Sequence, residues 1–442
     1  MTDVGATWAG THVFGASSLR RPSSVEELQR VIRESDRVRA LGTRHSFNDI
    51  ADTEGELVTV VDPGGSADHG ESAALGAAPV VASDRRTVEV PAGIRYGVLA
   101  LALEAEGLAL HNLGSLPHIS VAGATATGTH GSGVGNGSLS TAVAALEFVD
   151  GRGELVRLAR GDEGFEGAVV HLGALGVVTR LVLDVQPTYR VRQDVFVDLP
   201  WESVLADPEA VLSAGYSVSL FADWTGDTLK QAWVKTRLGE GEGEGEGEEL
   251  PATLFGGDFF GARPSTAKVM TPAGDDVDNT TVQGGVPGSW AERLPHFRLD
   301  ATPSAGDEIQ SEYFVARSDA TKALTAVRAL ASRIAPHLLV TELRSVAADE
   351  LWLSPAYRRD SLAIHFTWRN EPQAVRELLP LIEQALEPFE VRPHWGKWFS
   401  LGARQIVPRY ERIEDFRALA ERHDPERRLR NAYLERVLGL SR

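Results

Sequence analysis

The sequence predicts an α+β fold in two domains. Three observations carry this. The chain has 442 residues, and at roughly 150 residues per domain that is two or three units. Helical and strand patterns mix in the first part without the strict alternation of a doubly wound sheet. After Pro187 the pattern changes to longer, aromatic-rich strands such as YSVSLFADW and KQAWVKTRL, which suit an antiparallel sheet.

Taken in order, PSSVEELQRVIR begins with a proline and serine caps and places Val25, Leu28, Val31 and Ile32 near the helical period, so a first amphipathic helix is expected from Pro22 to about Arg33. The short apolar segment VRALG and the polar turn TRHSFND follow it. Thr87 to Val90 reads as a strand, Tyr96 to Glu106 as a helix, and Val143 to Val149 with Leu155 to Leu158 as a hairpin about Asp150-Gly151. Residues 112–138 hold seven glycines and no Lys, Arg, Asp or Glu. Glycine has no Cβ, so such a segment offers backbone amides that approach a ligand closely; a buried binding loop is expected. Gly239 to Glu249 alternates Gly and Glu, carries six glutamates and reads as a solvated loop. The segment ERIEDFRALAERHDPERRLRNAYLERVL returns to helical spacing and is expected to pack back on the first domain. The expected boundaries are therefore 1–186, 187–394 and 395–442.

Composition excludes several chemistries. There is no cysteine, hence no disulfide, thiolate metal site, iron-sulfur cluster or thiol nucleophile. A net charge of -18 repels phosphate backbones and anionic lipids, so nucleic acid and membranes are poor partners. No apolar run is long enough to cross a bilayer, and MTDVGATWAGTHVFG has neither the basic nor the apolar part of a signal segment; a cytoplasmic protein is expected. GSGVGNG does not fit the dinucleotide fingerprint, Gly396-Lys397 is followed by Trp398 rather than Ser or Thr, and HExxH and GxSxG are absent. The histidines are scattered, and no metal site is expected.

What remains is a pairing of RALGTRHSFND (39–49) with the long glycine segment. Together with LGALGVVT, IQSEY, ELRSVAAD, HFTW and RPHWGK, these strings resemble the alditol oxidase (xylitol oxidase) family of the vanillyl-alcohol oxidase FAD-binding superfamily, and they extend from residue 41 to 397. The resemblance implies a FAD-binding domain of that type, a substrate-binding cap, and FAD attached covalently through His45. It also implies FAD contacts at Ala40, Leu41, Gly42, Thr43, Arg44, His45, Ser46, Ser115, Ser120, Gly123, Ala124, Thr125, Ala126, Val178 and His394. Backbone amides can wrap a pyrophosphate with few cations, which reconciles the cofactor with an acidic chain. Since no cysteine is present, His45 is the only tether of the kinds that superfamily uses.

Strand periodicity places Gln310 with Glu312, Glu342 with Arg344, and His365 with Thr367 on single faces of EIQSEYF, VTELRSV and AIHFTW. A polar pocket of donors and acceptors suits a polyhydroxylated chain leaving water. The resemblance assigns Ser115, Gln310, Glu342, Arg344, Thr367 and Lys397 to substrate binding. Lys397, His365 and Arg344 are the expected catalytic groups, where cations would stabilise developing alkoxide. Gly114 would leave room for dioxygen, again by resemblance. The expected reaction is oxidation of the terminal alcohol of xylitol, sorbitol or a similar polyol to the aldose by a monomeric enzyme, with dioxygen reduced to hydrogen peroxide. A sugar-1,4-lactone oxidase or dehydrogenase is the alternative within the superfamily, and a flavin-binding protein without turnover the alternative outside it.

Overall fold

The computed structural model describes residues 4–61, 75, 78–239, 254–272, 274, 276–301 and 307–441. The Gly/Glu run lies outside the described residues from position 240 to 249. The first helix spans Val25–Glu34; Ser24 caps it by accepting from the Glu27 amide, and Leu28 and Ile32 form its buried face. Behind it, three short strands pair in parallel, with Glu56–Val58 between Ser18–Arg20 and Val38–Ala40. A second, antiparallel sheet runs in the order Val80–Val81, Thr87–Pro91, Gly176–Asp184, Val143–Asp150, Leu155–Ala159, and contains the expected hairpin. The helix Tyr96–Ala105 covers it with Leu99 and Leu103 fully buried.

The glycine-rich segment is not a free loop. Residues 121–125 form a short helix, and the segment is buried or half-buried at all but Gly123 and Gly135. Its path needs glycine where it runs close to other backbone: Gly133 sits at φ +139°, and a Cβ there would collide with the Tyr216 carbonyl.

The third sheet is antiparallel and nine-stranded. Its path runs Arg263–Pro264, Arg190–Pro200, Thr228–Arg237, Ser217–Ala222, Leu338–Val346, Ser361–Arg369, Glu308–Ala316 and Arg392–Pro393, with Gly288–Ser289 paired to the side. Alternation divides it cleanly. Ile309, Leu343, Ile364, Phe366 and Trp368 are all buried in the core with helices Ala320–Arg328 and Pro372–Leu386; each large side chain so buried contributes about 1.5–3 kcal/mol. Phe366 and Trp368 stack with centroids 5.0 Å apart. The opposite face carries the polar residues, so each strand's neighbouring positions serve core and cavity in turn.

The C-terminal helices Ile413–His423 and Ala432–Leu438 return to the first sheets. Leu429 joins Leu28, Ile32, Val38 and Val58 in one apolar cluster. Asn431 Nδ2 donates to the carbonyls of Asp49, Ile50 and Asp52. The buried Arg39 guanidinium donates to the carbonyls of Ile50, Leu172, Gly173 and Leu429. No helix among the described residues is long and apolar enough to cross a membrane.

Candidate active site

One continuous cavity runs from the His45 loop, past the glycine-rich segment, to the polar face of the large sheet. It is lined by Ala40, Leu41, Gly42, Thr43, Arg44, His45, Ser46, Ser120, Gly123, Ala124, Ala126, Val178 and His394 at the cofactor end. Gln310, Glu342, Arg344, His365, Thr367 and Lys397 line the other end, with Ser115 and Gly114 between. Thr125 is the exception among the expected contacts. Its hydroxyl donates back to the carbonyls of Val121 and Ala122, and its own carbonyl accepts from Ser140 Oγ, so the helix consumes its polar groups and turns them from the cavity.

The register of the large sheet explains the convergence. Glu312 lies opposite His365, His365 opposite Glu342, and Gln310 opposite Thr367. Lys397 is brought to the same level by the turn after Arg392–Pro393. That strand pairs with Tyr313 and Phe314, the His394 amide donates to the Glu312 carbonyl (2.9 Å), and the Lys397 amide donates to the His394 carbonyl (3.1 Å). The same turn is stitched to the His45 loop. The Phe47 amide donates to the Gly396 carbonyl (2.7 Å), Asn48 Nδ2 donates to the carbonyls of Trp395 and Lys397 (both 2.8 Å), and Trp398 Nε1 donates to the Phe47 carbonyl (2.6 Å). The histidine expected to hold the cofactor and the lysine expected to meet the substrate are thus parts of one hydrogen-bonded unit.

At the substrate end Glu312 is the hub. Its Oε2 accepts from Lys397 Nζ at 2.5 Å; its Oε1 accepts from Arg344 Nη2 at 2.8 Å and lies 3.2 Å from His130 Nε2. Burial alone would raise the Glu312 carboxyl, but the Lys397 and Arg344 cations hold it well below the usual carboxylate range. Lys397 also donates to His365 Nδ1 (2.7 Å), so the ring proton belongs on Nε2, which faces Thr367 Oγ1 at 2.9 Å. Burial and the neighbouring Lys397 charge push His365 down to about 4. A neutral imidazole therefore sits beside an ammonium whose own pKa is lowered by burial against the pull of Glu312. Arg344 reaches Ser115 Oγ at 3.4 Å, and Gln310 Nε2 donates to Glu308 Oε1 at 2.6 Å. Glu342 Oε1 accepts from His296 Nε2 at 2.8 Å. Burial would raise Glu342, and Arg344 and His296 overcome this to keep it ionised.

Periodicity alone places Glu312 on the pocket face but gives it no role. Its central position depends on register, which a single strand does not encode. His130, His296 and Lys235 were not found from the sequence at all. The one signal for Lys235 is a lysine inside the apolar strand AWVKT, where a charge needs a buried partner.

The cofactor end fits FAD on its own geometry. His45 is partly buried beside Trp8 (ring centroids 5.5 Å apart), and its buried Nδ1 has no hydrogen-bond partner among the described residues. Burial, aided by the nearby charges of His118 and Arg95, pushes His45 down to about 4, so the ring is neutral with a lone pair available for carbon. Gly42 and Gly123 leave space that a side chain would take: a Cβ on Gly123 would lie 2.9 Å from Ser120 Oγ, and one on Gly42 3.1 Å from it. Among the described residues no cluster suited to a metal ion is present.

Comparison with known proteins places this site in context. A family model described as FAD binding domain matches residues 16–159, and one described as D-arabinono-1,4-lactone oxidase matches residues 306–437. The chain is 44% identical over 441 residues to the alditol oxidase of Streptomyces sp. (strain IKD472 / FERM P-14339), covering 99% of this chain and 100% of that protein. It is 29% identical to the L-gulono-1,4-lactone dehydrogenase of Mycobacterium tuberculosis, covering 99% and 100%. Cholesterol oxidase from B. sterolicum shares the fold, with a TM-score of 0.74 at 15% identity over 99% of this chain and 96% of that one.

Proposed function

Since this chain belongs to the alditol oxidase family of FAD-dependent oxidoreductases, we propose that it oxidises the terminal primary alcohol of alditols such as xylitol and sorbitol to the aldose, reducing dioxygen to hydrogen peroxide. The observation that carries the reading is the convergence of Ser115, Gln310, Glu342, Arg344, Thr367 and Lys397 on a cavity continuous with the His45 loop. Hydroxyls need both donors and acceptors when they leave water: Glu342 accepts, Arg344 and Lys397 donate, and Gln310, Thr367 and Ser115 do either. Residues 1–186 and 395–442 are read as the cofactor unit and 187–394 as the cap. We read the protein as a monomer acting on free polyols in the cytoplasm.

Bound FAD would be held by the Ala40–Ser46 loop, Ser115, Ser120, Gly123, Ala124, Ala126, Val178 and His394, with its covalent tether at His45, and would supply the hydride acceptor. The protein's part concerns the proton and the oxygen. Two Lys397 protons are engaged by Glu312 and His365 Nδ1. Among the described residues nothing else accepts from Lys397, which leaves the third for the substrate's terminal oxygen, where it and Arg344 stabilise alkoxide character as the carbon loses hydride. His365 Nδ1 is the neutral acceptor behind Lys397, so the substrate's proton is taken up by the pair as Lys397 passes one of its own to His365. Gly114 has only ordinary contacts around a hypothetical Cβ, the nearest at 3.8 Å. Packing does not demand a glycine there, in keeping with a role in leaving space for dioxygen.

Mixing the purified yellow protein anaerobically with xylitol should bleach the flavin, and a panel of alditols, lactones and simple alcohols should rank alditols first. Reduction by lactones in preference to every alditol would transfer the assignment to lactone oxidation, a reading favoured by the D-arabinono-1,4-lactone oxidase match but weakened by the greater distance of the lactone-acting relatives. No bleaching with any of these would leave no turnover to explain. For the tether, acid precipitation of the parent protein should keep flavin on the polypeptide and His45→Ala should release it; free flavin from the parent would refute the covalent bond.

A further inference from the structure

Beneath Glu342 lies a buried pair that the mechanism above does not use. Lys235 stands on the strand Thr228–Arg237 and is fully enclosed. Its ammonium donates to the carbonyls of Leu294 and Pro295 and to His296 Nδ1, the last at 3.0 Å, so all three of its protons are engaged. Burial lowers Lys235 to about 7 against the pull of Glu342; its ammonium form can only donate, and that form fixes the tautomer of its neighbour: His296 Nδ1 carries the lone pair and Nε2 the proton. Nε2–H then meets Glu342 Oε1 at 2.8 Å. The ring is caged by Trp233 (centroids 4.9 Å apart, edge-on) and Phe221 (5.8 Å), and its backbone amide donates to the Ser115 carbonyl at 3.1 Å. Both ring nitrogens are engaged, one by Lys235 and the other by Glu342. Glu342 Oε2 takes no hydrogen bond from the described residues, and the side chain lines the cavity.

From this geometry, and resting on the alditol reading above, we propose that Lys235 and His296 are positioning residues that hold Glu342 as a one-sided acceptor. They thereby set the preference for substrates with hydroxyls on the inner carbons. With the His296 tautomer fixed, Oε1 is occupied from behind and Oε2 is presented to the substrate. Without Lys235 the imidazole could place its proton on Nδ1 and turn a lone pair toward the Glu342 carboxylate. The carboxylate would then have to move or take up a proton, and either change removes the acceptor for an inner hydroxyl. The terminal oxygen is held by Lys397 and Arg344, so a substrate lacking inner hydroxyls loses nothing by the change.

The test compares xylitol with pentane-1,5-diol, which has the same chain and end groups but no inner hydroxyls, using flavin-loaded protein. The ratio of kcat/KM for xylitol to that for the diol is the readout. His296→Phe keeps the ring and removes the donor, and should lower the ratio by about tenfold or more, the size of a lost hydrogen bond to a charged group, chiefly through a higher KM for xylitol. His296→Gln can still donate to Glu342 and should keep the ratio within about threefold of the parent. Lys235→Met should lower it as His296→Phe does, and it decides the matter if His296→Phe fails to retain flavin. A flavin-loaded His296→Phe or Lys235→Met protein with the parent ratio would overturn the proposal. Failure of the parent protein to oxidise xylitol would instead overturn the alditol assignment itself.

Discussion

Replacing Lys397 by alanine is expected to slow anaerobic flavin reduction by xylitol about a thousandfold. Removal of a single preorganised donor from a developing oxyanion commonly lowers the rate by about a hundred- to a thousandfold, and Lys397 does more than donate. It neutralises Glu312 across 2.5 Å and is the only cation hydrogen-bonded to His365 Nδ1 among the described residues. Without it, Glu312 keeps Arg344, the His130 ring and, at 3.7 Å, the His365 ring near its oxygens among the described residues, and His365 loses the group through which it is proposed to take the substrate's proton. Lys397→Arg should not restore the rate, because a planar guanidinium cannot place one proton on each of Glu312, His365 and the substrate as a tetrahedral ammonium does. Single-turnover reduction of the flavin-loaded variant separates this from any effect on cofactor binding. A rate within about twofold of the parent would move the reacting oxygen to another residue.

The second large effect is expected at Glu312. Glu312→Gln preserves shape but removes the one carboxylate among the described residues that is hydrogen-bonded to both Lys397 and Arg344, leaving two buried cations with Glu342, 3.7 Å from Arg344 Nε, as the remaining counterion. Breaking one side of a buried ion pair costs about 3–5 kcal/mol, because the remaining charge stays buried without its partner. A fall in Tm of at least about 6 °C follows for a unit of this size, followed by tryptophan fluorescence at equal flavin loading. Reduction by xylitol should fall with it, since Lys397 and Arg344 lose the anchor that aims them. A variant within about 2 °C of the parent, with an unchanged reduction rate, would show that the cluster is balanced by other groups.

The sequence carried much of this site, and where it stopped has a physical reason. Alternation in EIQSEYF, VTELRSV and AIHFTW is a local property, so the three polar faces were legible before any pairing was known, as was the His45 loop with its glycine-rich partner. Pairing is not local. That Glu312 faces His365, and His365 faces Glu342, follows from register across three strands, and that register made Glu312 the hub rather than an ordinary member of the polar face. His130 and His296 come from connecting segments, where no periodicity marks a side chain's direction, and Lys235 acts only through His296. Thr125 shows the reverse limit. Its place in the string AGATATG is right, but a threonine in a short helix bonds its own backbone and turns inward.

The bonds from Asn431 to the carbonyls of Asp49, Ile50 and Asp52, from Arg39 to the Leu429 carbonyl, and from Tyr433 Oη to the Trp395 carbonyl bear on when the enzyme matures. They mean that the loop bearing His45, translated early, is completed by residues near position 430. A nascent chain still lacking that segment, or holding it inside the ribosome, has the histidine but not the frame that fixes it. The proposed attachment of flavin at His45 therefore waits on the residues near position 430, and chains truncated before them should carry none.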